Sequence, residues 1–165
     1  MPKRLNSSKV SHQYGWLSLS VIIIILDQLS KYWAVAKLTT LATQSKVIFA
    51  SWLNASLAHN TGAAFSFLGD AGGWQIYFFA IVSLLVILLF VFWLARLPSG
   101  YLVRPIALAL VIGGAIGNLI DRLRLHYVID FIDVHWGNWH FATFNLADAA
   151  ISVGAVLLML SLMSD

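Results

Sequence analysis

The feature that most constrains this chain is an apolar run from Trp74 to Ala95 that contains no charged side chain. A helix needs about 20 consecutive apolar residues to cross the hydrocarbon core of a bilayer. Inside a bilayer every backbone N–H and C=O group needs a partner within the protein, and a helix supplies those partners locally. The run therefore predicts a transmembrane helix over 74–95.

Three further apolar segments predict transmembrane helices over about 16–36, 105–120 and 145–163. Because 60% of the residues are hydrophobic and only 10% are charged, and because four spans use about half of the length, no separate soluble domain is expected. We predict one membrane-embedded domain, residues 1–165. Its fold class is all-α, a bundle of four transmembrane helices.

The first span has an alternative interpretation as a cleaved secretory signal. It combines preceding basic residues, an apolar stretch over 16–26 and a small-residue sequence, Ala-Val-Ala, at 34–36. Cleavage would discard Asp27 and Lys31, which stand four residues apart and can pair on one helix face. A charge pair is unexpected in a disposable segment, so we favour a retained helix.

The third span contains a cluster of small residues, Gly113-Gly-Ala-Ile-Gly117. Glycines four residues apart allow helix backbones to approach closely in lipid, which predicts a central position in the bundle. Glycines that are merely tolerated are the alternative.

The basic residues predict the orientation of the chain. Those near the N-terminus and around the loop between the second and third spans are Lys3, Arg4, Lys9, Arg96 and Arg104. Basic residues concentrate on the cytoplasmic side of a membrane. Both termini are therefore predicted to be cytoplasmic, and segments 37–73 and 121–144 to be extracytoplasmic. This topology also accounts for the net charge of +3, so nucleic acid is not a predicted partner.

The two outer segments contain patterns of β structure. Residues 53–58 alternate between Leu53, Ala55 and Leu57 on one side and more polar or smaller residues on the other, which predicts a half-buried strand. Residues 135–140 predict a tight hairpin that turns at Gly-Asn between matched tryptophans. We therefore expect a small extracytoplasmic β-cradle and a periplasmic loop beside the helices.

Two aspartates in or near the outer segments are candidate catalytic groups. Asp130 lies in an apolar local sequence, and Asp148 lies in the first turn of the fourth span. A carboxylate near lipid requires a partner or a function. Two carboxylates that share one proton can act as base and acid in hydrolysis, and their mutual repulsion keeps one of them protonated. For Asp148 a capping role is the alternative, because it follows Asn145 by three residues.

The outer end of the third span is also polar. Asn118, Asp121 and Arg122 share one helix face and could hold the backbone of an extended peptide. The alternative is an interfacial Arg–Asp pair that only ends the helix. For Asp27 and Lys31 a structural ion pair is the favoured interpretation.

The composition excludes several kinds of chemistry. The chain has no cysteine and no glutamate, so disulfides, thiol catalysis and thiolate-bound metal are excluded. His126, His135 and His140 lie in one outer segment, but their spacing fits no metal-binding motif. We predict no metal and no other cofactor.

Five sequence blocks resemble those of the bacterial lipoprotein signal peptidases, also called type II signal peptidases. The blocks are Asp27-Gln-Leu-Ser-Lys31, Asn60-Thr-Gly-Ala-Ala-Phe-Ser-Phe67, Gly113-Gly-Ala-Ile-Gly-Asn-Leu-Ile-Asp-Arg122, Val128-Ile-Asp-Phe131 and Phe144-Asn-Leu-Ala-Asp148. Their order and spacing extend over nearly the whole chain. The resemblance implies a membrane aspartyl protease of the bacterial inner membrane, with four helices, a small outer sheet, cytoplasmic termini and an extracytoplasmic active site.

The resemblance also implies roles for individual residues. The implied catalytic dyad is Asp130 and Asp148. The implied substrate groove contains Asn60, Asn118, Arg122 and Asn145, and the implied supporting residues are Asp27, Lys31 and Asp121. The implied partners are diacylglyceryl-modified prolipoproteins, cleaved before the lipidated cysteine by water, and membrane lipid. A monomer is expected.

Two other classes of function are considered. In a proton-coupled carrier, Asp27 and Lys31 would form a relay with Asp130 and Asp148. The acids cluster at one face of the membrane, however, and no inverted repeat relates the two halves of the chain. A purely structural subunit would leave the outer polar cluster unexplained. A protease is therefore favoured, while its individual substrates and any gating by residues 37–73 stay open.

Overall fold

The computed structural model describes residues 14–38, 46–62 and 72–164. In chain order the elements are α1 (Leu17–Leu38), β1 (Lys46–Ala50), β2 (Leu53–Asn60), α2 (Trp74–Arg96), α3 (Val103–Leu125), β3 (Val128–Trp136), β4 (Trp139–His140) and α4 (Leu146–Met163). The N-terminal basic residues and the last part of the block that begins at Asn60 lie outside the described residues.

Within this part of the chain, four helices are long and apolar enough to cross a membrane. The helix α2 exposes large apolar side chains along its length, among them Tyr77, Ile81, Leu85, Leu88 and Phe92. In water such a surface would drive association, whereas lipid tails match it. The predicted bundle of four transmembrane helices with a small sheet is confirmed.

Each predicted span coincides with one helix, and three of the helices end within two residues of the predicted bounds, whereas the third helix extends beyond them. The prediction placed the span at 105–120, whereas α3 runs from Val103 to Leu125. It ends where His126 adopts a left-handed conformation with φ of 65° and donates its N–H to the Arg122 C=O. Asp121 and Arg122, which were predicted to share a face of this helix with Asn118, lie within it, and Asp121 is buried with partners inside the protein. The helix therefore continues.

The glycines of α3 confirm its central position. The helix packs against α1, α2 and α4. A methyl group added at Gly113 would lie 2.9 Å from the Ser20 C=O of α1, and one added at Gly114 would collide with the Ala147 C=O of α4. Both neighbours are backbone atoms of packed helices, so these contacts require glycine.

We expect Gly114→Ala to lower the free energy of unfolding by about 1–3 kcal/mol, as overpacking does in other cores. The added methyl group would push α4, and with it Asp148, away from α3. Thermal melting of the purified protein in detergent measures the change. Leu85→Ala, which alters only the lipid-facing side of α2, is the control and should melt close to wild type. Equal melting of the Gly114 variant and wild type would contradict the close helix contact.

The sheet is antiparallel in the order β1-β2-β3-β4. The predicted hairpin is confirmed, because His135 pairs with His140 and Trp136 with Trp139. The predicted strand over 53–58 is present, but its simple alternation was wrong. Asn54 is buried although its side chain is polar, because its Nδ2 has a hydrogen-bond partner, Asp133 Oδ2, at 3.3 Å. Side-chain polarity alone misassigned this position because the partner lies on another strand.

The polar residues cluster at the end of the bundle that contains the sheet. There, Asp27 Oδ1 of α1 accepts a hydrogen bond from the Ala147 N–H of α4 at 3.0 Å. At the opposite end, Arg104 Nη2 of α3 donates to the Ser161 C=O of α4 at 3.1 Å. These contacts join helices that run in opposite directions, so the halves of α1, α3 and α4 nearest the sheet meet beneath it.

Candidate active site

Asp130 lies on β3 and is almost completely buried, with 2% of its surface exposed. The pairing of β2 with β3 places it opposite Ala58. Its carboxylate accepts one hydrogen bond from Asn145 Nδ2 at 2.7 Å and one from Asn60 Nδ2 at 3.0 Å. Two neighbouring elements, β2 and the start of α4, therefore hold the orientation of this carboxylate.

Asp148 lies in the first turn of α4 and takes part in a reciprocal capping arrangement with Asn145. The Asp148 N–H donates to Asn145 Oδ1 at 2.9 Å, and the Asn145 N–H donates to Asp148 Oδ2 at 3.3 Å. The predicted capping role is confirmed. The other oxygen, Oδ1, accepts from Asn118 Nδ2 at 2.7 Å. Capping therefore holds the carboxylate in place but does not occupy all of its acceptor capacity.

Asn145 links the two carboxylates. It is fully buried, and its Nδ2 lies 2.7 Å from Asp130 Oδ1 and 3.2 Å from Asn118 Oδ1. The Asn118 amide in turn donates to Asp148. A continuous chain of hydrogen bonds thus runs from Asp130 through two asparagines to Asp148. Both carboxylates border one cavity of about 510 Å³.

The environment of Asp130 favours its protonated form. Burial raises the pKa of Asp130 to about 6, and the negative charge of Asp148 adds to this effect. Hydrogen bonds from Asn60 and Asn145 and the positive charge of Lys31 act in the opposite direction. A buried carboxyl group with a raised pKa next to a second carboxylate is the arrangement expected of a pair that shares a proton.

The raised pKa predicts a pH-dependent stability. In the folded state Asp130 binds its proton more tightly than in the unfolded chain, so its stabilising contribution is complete below about pH 4. That contribution is lost as the pH rises through about 6. We expect the melting temperature of Asp130→Asn, minus that of wild type, to increase between pH 4 and pH 7.5. A difference that does not vary with pH would contradict the raised pKa.

A buried lysine lies behind this chain of asparagines. Lys31 Nζ contacts Asp27 Oδ2 at 2.9 Å, Asp121 Oδ2 at 2.8 Å and Asn118 Oδ1 at 3.0 Å. The predicted pairing of Asp27 with Lys31 is confirmed. Among the described residues Asp121 forms its ion pair with this lysine of α1, so a local pair with Arg122 is not what ends the helix. All three donors of the ammonium group are used.

Arg122 connects α3 to the segment that follows β2. Its Nη2 donates to the Gly62 C=O at 3.2 Å, and its guanidinium lies 5.6 Å from the centre of the Phe79 ring. Gly62 donates its own N–H to Asn60 Oδ1 at 2.9 Å. Three of the four residues expected in a substrate groove border the cavity, namely Asn60, Asn118 and Arg122. Asn145, the fourth, is buried and bonds directly to both aspartates.

Two parts of the site were not identified from the sequence. Gln28 Nε2 donates to Asp121 Oδ1 at 3.0 Å and to Asp27 Oδ2 at 3.2 Å, so it joins the supporting cluster. Its position inside the first sequence block was the available signal. The segment 141–144 borders the cavity as well. Apart from Phe144, which begins the fifth sequence block, no local pattern identifies this segment, because its position depends on how it pairs with β3.

The three histidines of segment 121–144 do not form one cluster, because His126 lies apart from His135 and His140. His126 ends α3 and lies near Tyr77, with 6.5 Å between the ring centres. His135 stacks on His140, whose Nδ1 lies 2.8 Å from Asp133 Oδ1. Within residues 14–38, 46–62 and 72–164, no three His, Cys, Asp or Glu side chains are grouped as metal ligands.

Comparison with known protein families gives one consistent match. The family model for signal peptidase (SPase) II matches residues 19–164. A lipoprotein signal peptidase of Acinetobacter baumannii is 52% identical over 149 residues, which cover 90% of this chain and 83% of that protein. A lipoprotein signal peptidase of Coxiella burnetii is 50% identical over 153 residues, which cover 93% of this chain and 92% of that protein.

The fold is also similar to those of solved bacterial membrane enzymes. A bacterial membrane enzyme solved by the in meso method at 2.3 Å resolution superposes with a TM-score of 0.79 and 29% sequence identity, covering 92% of this chain and 88% of that one. A second, solved at 1.9 Å, superposes with a TM-score of 0.76 and covers 92% and 94%. Sequence and fold thus agree over nearly the whole length, and the chain belongs to the signal peptidase II family.

Proposed function

We propose that this protein is an aspartic endopeptidase that removes the signal peptide from diacylglyceryl-modified prolipoproteins and cleaves before the lipidated cysteine. As a member of the signal peptidase II family it is a multi-pass protease of the bacterial inner membrane that acts on prolipoproteins. The observation that supports an aspartic mechanism is the pair of carboxylates, Asp130 and Asp148. Each accepts an amide hydrogen bond of 2.7 Å, and both border one cavity.

In this mechanism the two carboxylates share one proton and activate a water molecule. The ionised carboxylate takes a proton from the water as its oxygen attacks the scissile carbonyl carbon, and the protonated carboxyl group donates to the carbonyl oxygen. The resulting diol collapses when the amide nitrogen accepts a proton and the C–N bond breaks. The products are a signal peptide with a free carboxylate and a lipidated cysteine with a free amine. The dyad titrates as a unit.

The surrounding residues support this chemistry by fixing the geometry of the pair. Amide donors from Asn60, Asn118 and Asn145 hold the carboxylates in position before substrate arrives. Such preorganisation reduces the rearrangement that the reaction requires. The buried Lys31 donates to the side-chain carbonyl of Asn118, so that the amide Nδ2 of Asn118 faces Asp148. We assign Asp27 and Asp121 the role of holding this lysine.

The location of the site suits a lipid-anchored substrate. The dyad lies at one end of four membrane-spanning helices, and the charge distribution predicts that this end is extracytoplasmic. A diacylglyceryl group would hold the cysteine in the outer leaflet and bring the scissile bond to the depth of the cavity. This anchoring restricts the substrate before it binds, so that less translational and rotational entropy is lost when it reaches the dyad. Clustering of the described acids at this end also argues against a proton relay through the membrane.

Cleavage of a synthetic prolipoprotein peptide by the purified protein tests the proposal. We expect cleavage only before the diacylglyceryl-modified cysteine, and little cleavage of the same peptide without lipid. In water enriched with heavy oxygen, mass spectrometry should find the label in the new carboxylate of the signal peptide. Cleavage at another bond would refute the proposed specificity. A covalent enzyme–peptide adduct would refute direct attack by water.

A further inference from the structure

The segment between β4 and α4 contains an irregularity next to the dyad. Before it, the Phe141 N–H donates to the Val134 C=O of β3 at 2.8 Å. After it, Phe144 bridges Ile132 of β3 in antiparallel fashion, with the Phe144 N–H donating at 3.1 Å. Phe141 therefore faces Val134 and Phe144 faces Ile132, so that three steps along this segment correspond to only two steps along β3. Residues 142–143 therefore oppose a single residue of β3, which is the definition of a β-bulge.

The bulge leaves backbone groups available for hydrogen bonding. In the part of the chain that the structure describes, neither Ala142 nor Thr143 has a protein partner for its N–H or its C=O. Both residues are only half-buried. Backbone polar groups at such positions gain when a ligand supplies partners. Bulges occur preferentially beside active sites, where they interrupt the pairing of the sheet.

The bulge also borders the passage between two cavities. The cavity of about 510 Å³ that contains the dyad extends along α4 and is mostly apolar, with Phe141, Phe144 and Ile151 in its wall. A second cavity, of about 350 Å³, lies against the sheet and is more polar. Ala142 and Thr143 border both cavities, as does Asp130. A peptide that passes the dyad from one cavity to the other must run along the bulge.

We propose that Ala142 and Thr143 form a strand-addition site for the peptide segment that spans the scissile bond. This inference rests on the proposed function. An extended peptide presents N–H and C=O groups with the spacing of a strand and adds to unpaired backbone through main-chain hydrogen bonds. Its side chains then alternate between two directions. Here one direction leads toward the apolar cavity along α4 and the other toward the polar cavity against the sheet.

Strand addition would serve the enzyme in two ways. Main-chain pairing does not depend on the side chains of the substrate, so one site can accept many different prolipoproteins. It also fixes the rotation of the peptide about its axis, and thereby orients the scissile carbonyl relative to Asp130 and Asp148. Such orientation is a large part of the advantage that an enzyme has over a reaction in solution.

An N-methyl scan of the substrate tests the pairing. Each residue within about three positions of the scissile bond is N-methylated in turn in a synthetic diacylglyceryl peptide. We expect kcat/KM to fall roughly tenfold at alternate residues, since a strand pairs on one edge at every second residue. Losses without this alternation, or no losses, would overturn the proposal.

A backbone change in the enzyme tests the location. Replacing Thr143 by its α-hydroxy acid in cell-free synthesis removes one N–H and keeps the side chain. We expect a loss of roughly tenfold in kcat/KM, whereas the same backbone replacement at Asn138, an exposed residue of the hairpin turn that borders neither cavity, should leave kcat/KM within about twofold of wild type. Equal activity of the backbone variant and wild type would place the pairing elsewhere and overturn the assignment.

Binding separates this inference from the proposed function. Competition by the same N-methylated peptides is measured on Asp148→Asn, without cleavage. Alternating losses of affinity support strand addition even if another group performs the chemistry. Uniform affinities refute strand addition even if the two aspartates are confirmed as the dyad.

Discussion

Asp130→Asn and Asp148→Asn are each expected to lower kcat/KM for a diacylglyceryl-modified prolipoprotein by roughly a thousandfold or more, within the range assigned to acid–base groups. An amide has nearly the same shape as the carboxyl group, but it neither accepts a proton from water nor donates one as an acid. In the proposed mechanism the pair shares one proton, so neither aspartate can replace the other. Cleavage by the purified variants, followed by mass spectrometry, measures the loss.

The same strand supplies a matched control. Asp133 is also a buried aspartate of β3, but its partners are Asn54 and His140. It does not border the cavity that holds the dyad. Asp133→Asn should therefore keep kcat/KM within a few-fold of wild type, even if it melts at a lower temperature. If Asp148→Asn cleaves normally while its melting is unchanged, Asp148 is a helix cap and not a catalytic group.

Replacement of the buried lysine has the second-largest expected effect. Lys31→Met keeps the length of the side chain and removes its charge, so Asp27 and Asp121 would face each other without a cation. Loss of one partner of a buried ion pair costs about 3–5 kcal/mol. The double variant Lys31→Met with Asp121→Asn also removes one of the two unpaired negative charges, and it should recover part of the lost free energy of unfolding. Such recovery reports direct coupling between the two side chains.

Thermal melting in detergent measures both variants, and Arg124→Met is the control. Arg124 is an exposed basic residue in the last turn of α3. Its replacement should change the free energy of unfolding by no more than about 0.5 kcal/mol. Activity gives a second measurement, because Lys31 also contacts the Asn118 amide that bonds Asp148. A Lys31→Met protein that melts and cleaves as wild type does would refute the supporting role of this lysine.

Several local features of the fold could be predicted from the sequence because their causes are local. The apolar run over 74–95 and the hairpin at Gly137-Asn138 depend on neighbouring residues alone. The cap formed by Asn145 and Asp148 likewise needs only a spacing of three residues. The length of α3 beyond residue 120 depends instead on contacts with other elements. Asp121 is buried there beside Lys31 of α1, and it accepts hydrogen bonds from Gln28 of the same helix and from the Ile129 N–H of β3.

Most residues of the candidate site could also be predicted from the sequence, but the contacts between them could not. Sequence blocks pointed to the two aspartates and to the asparagines around them. They contained no sign that Asn145 bonds both Asp130 and Asn118, or that Lys31 contacts three groups. They also contained no sign of the bulge at 142–143. Each of these facts depends on contacts between elements that are distant along the chain.

The sequence by itself therefore determined the membrane spans, the hairpin, the helix cap and the family. These follow from the transfer of apolar segments into lipid and from hydrogen bonds between near neighbours. Only the tertiary structure decided which donors each carboxylate receives and where the peptide backbone can pair. The physical reason is that glycines of α3 bring α1 and α4 close enough for Asp27, Lys31 and Asp148 to reach partners on other helices. Such contacts exist only in the packed bundle.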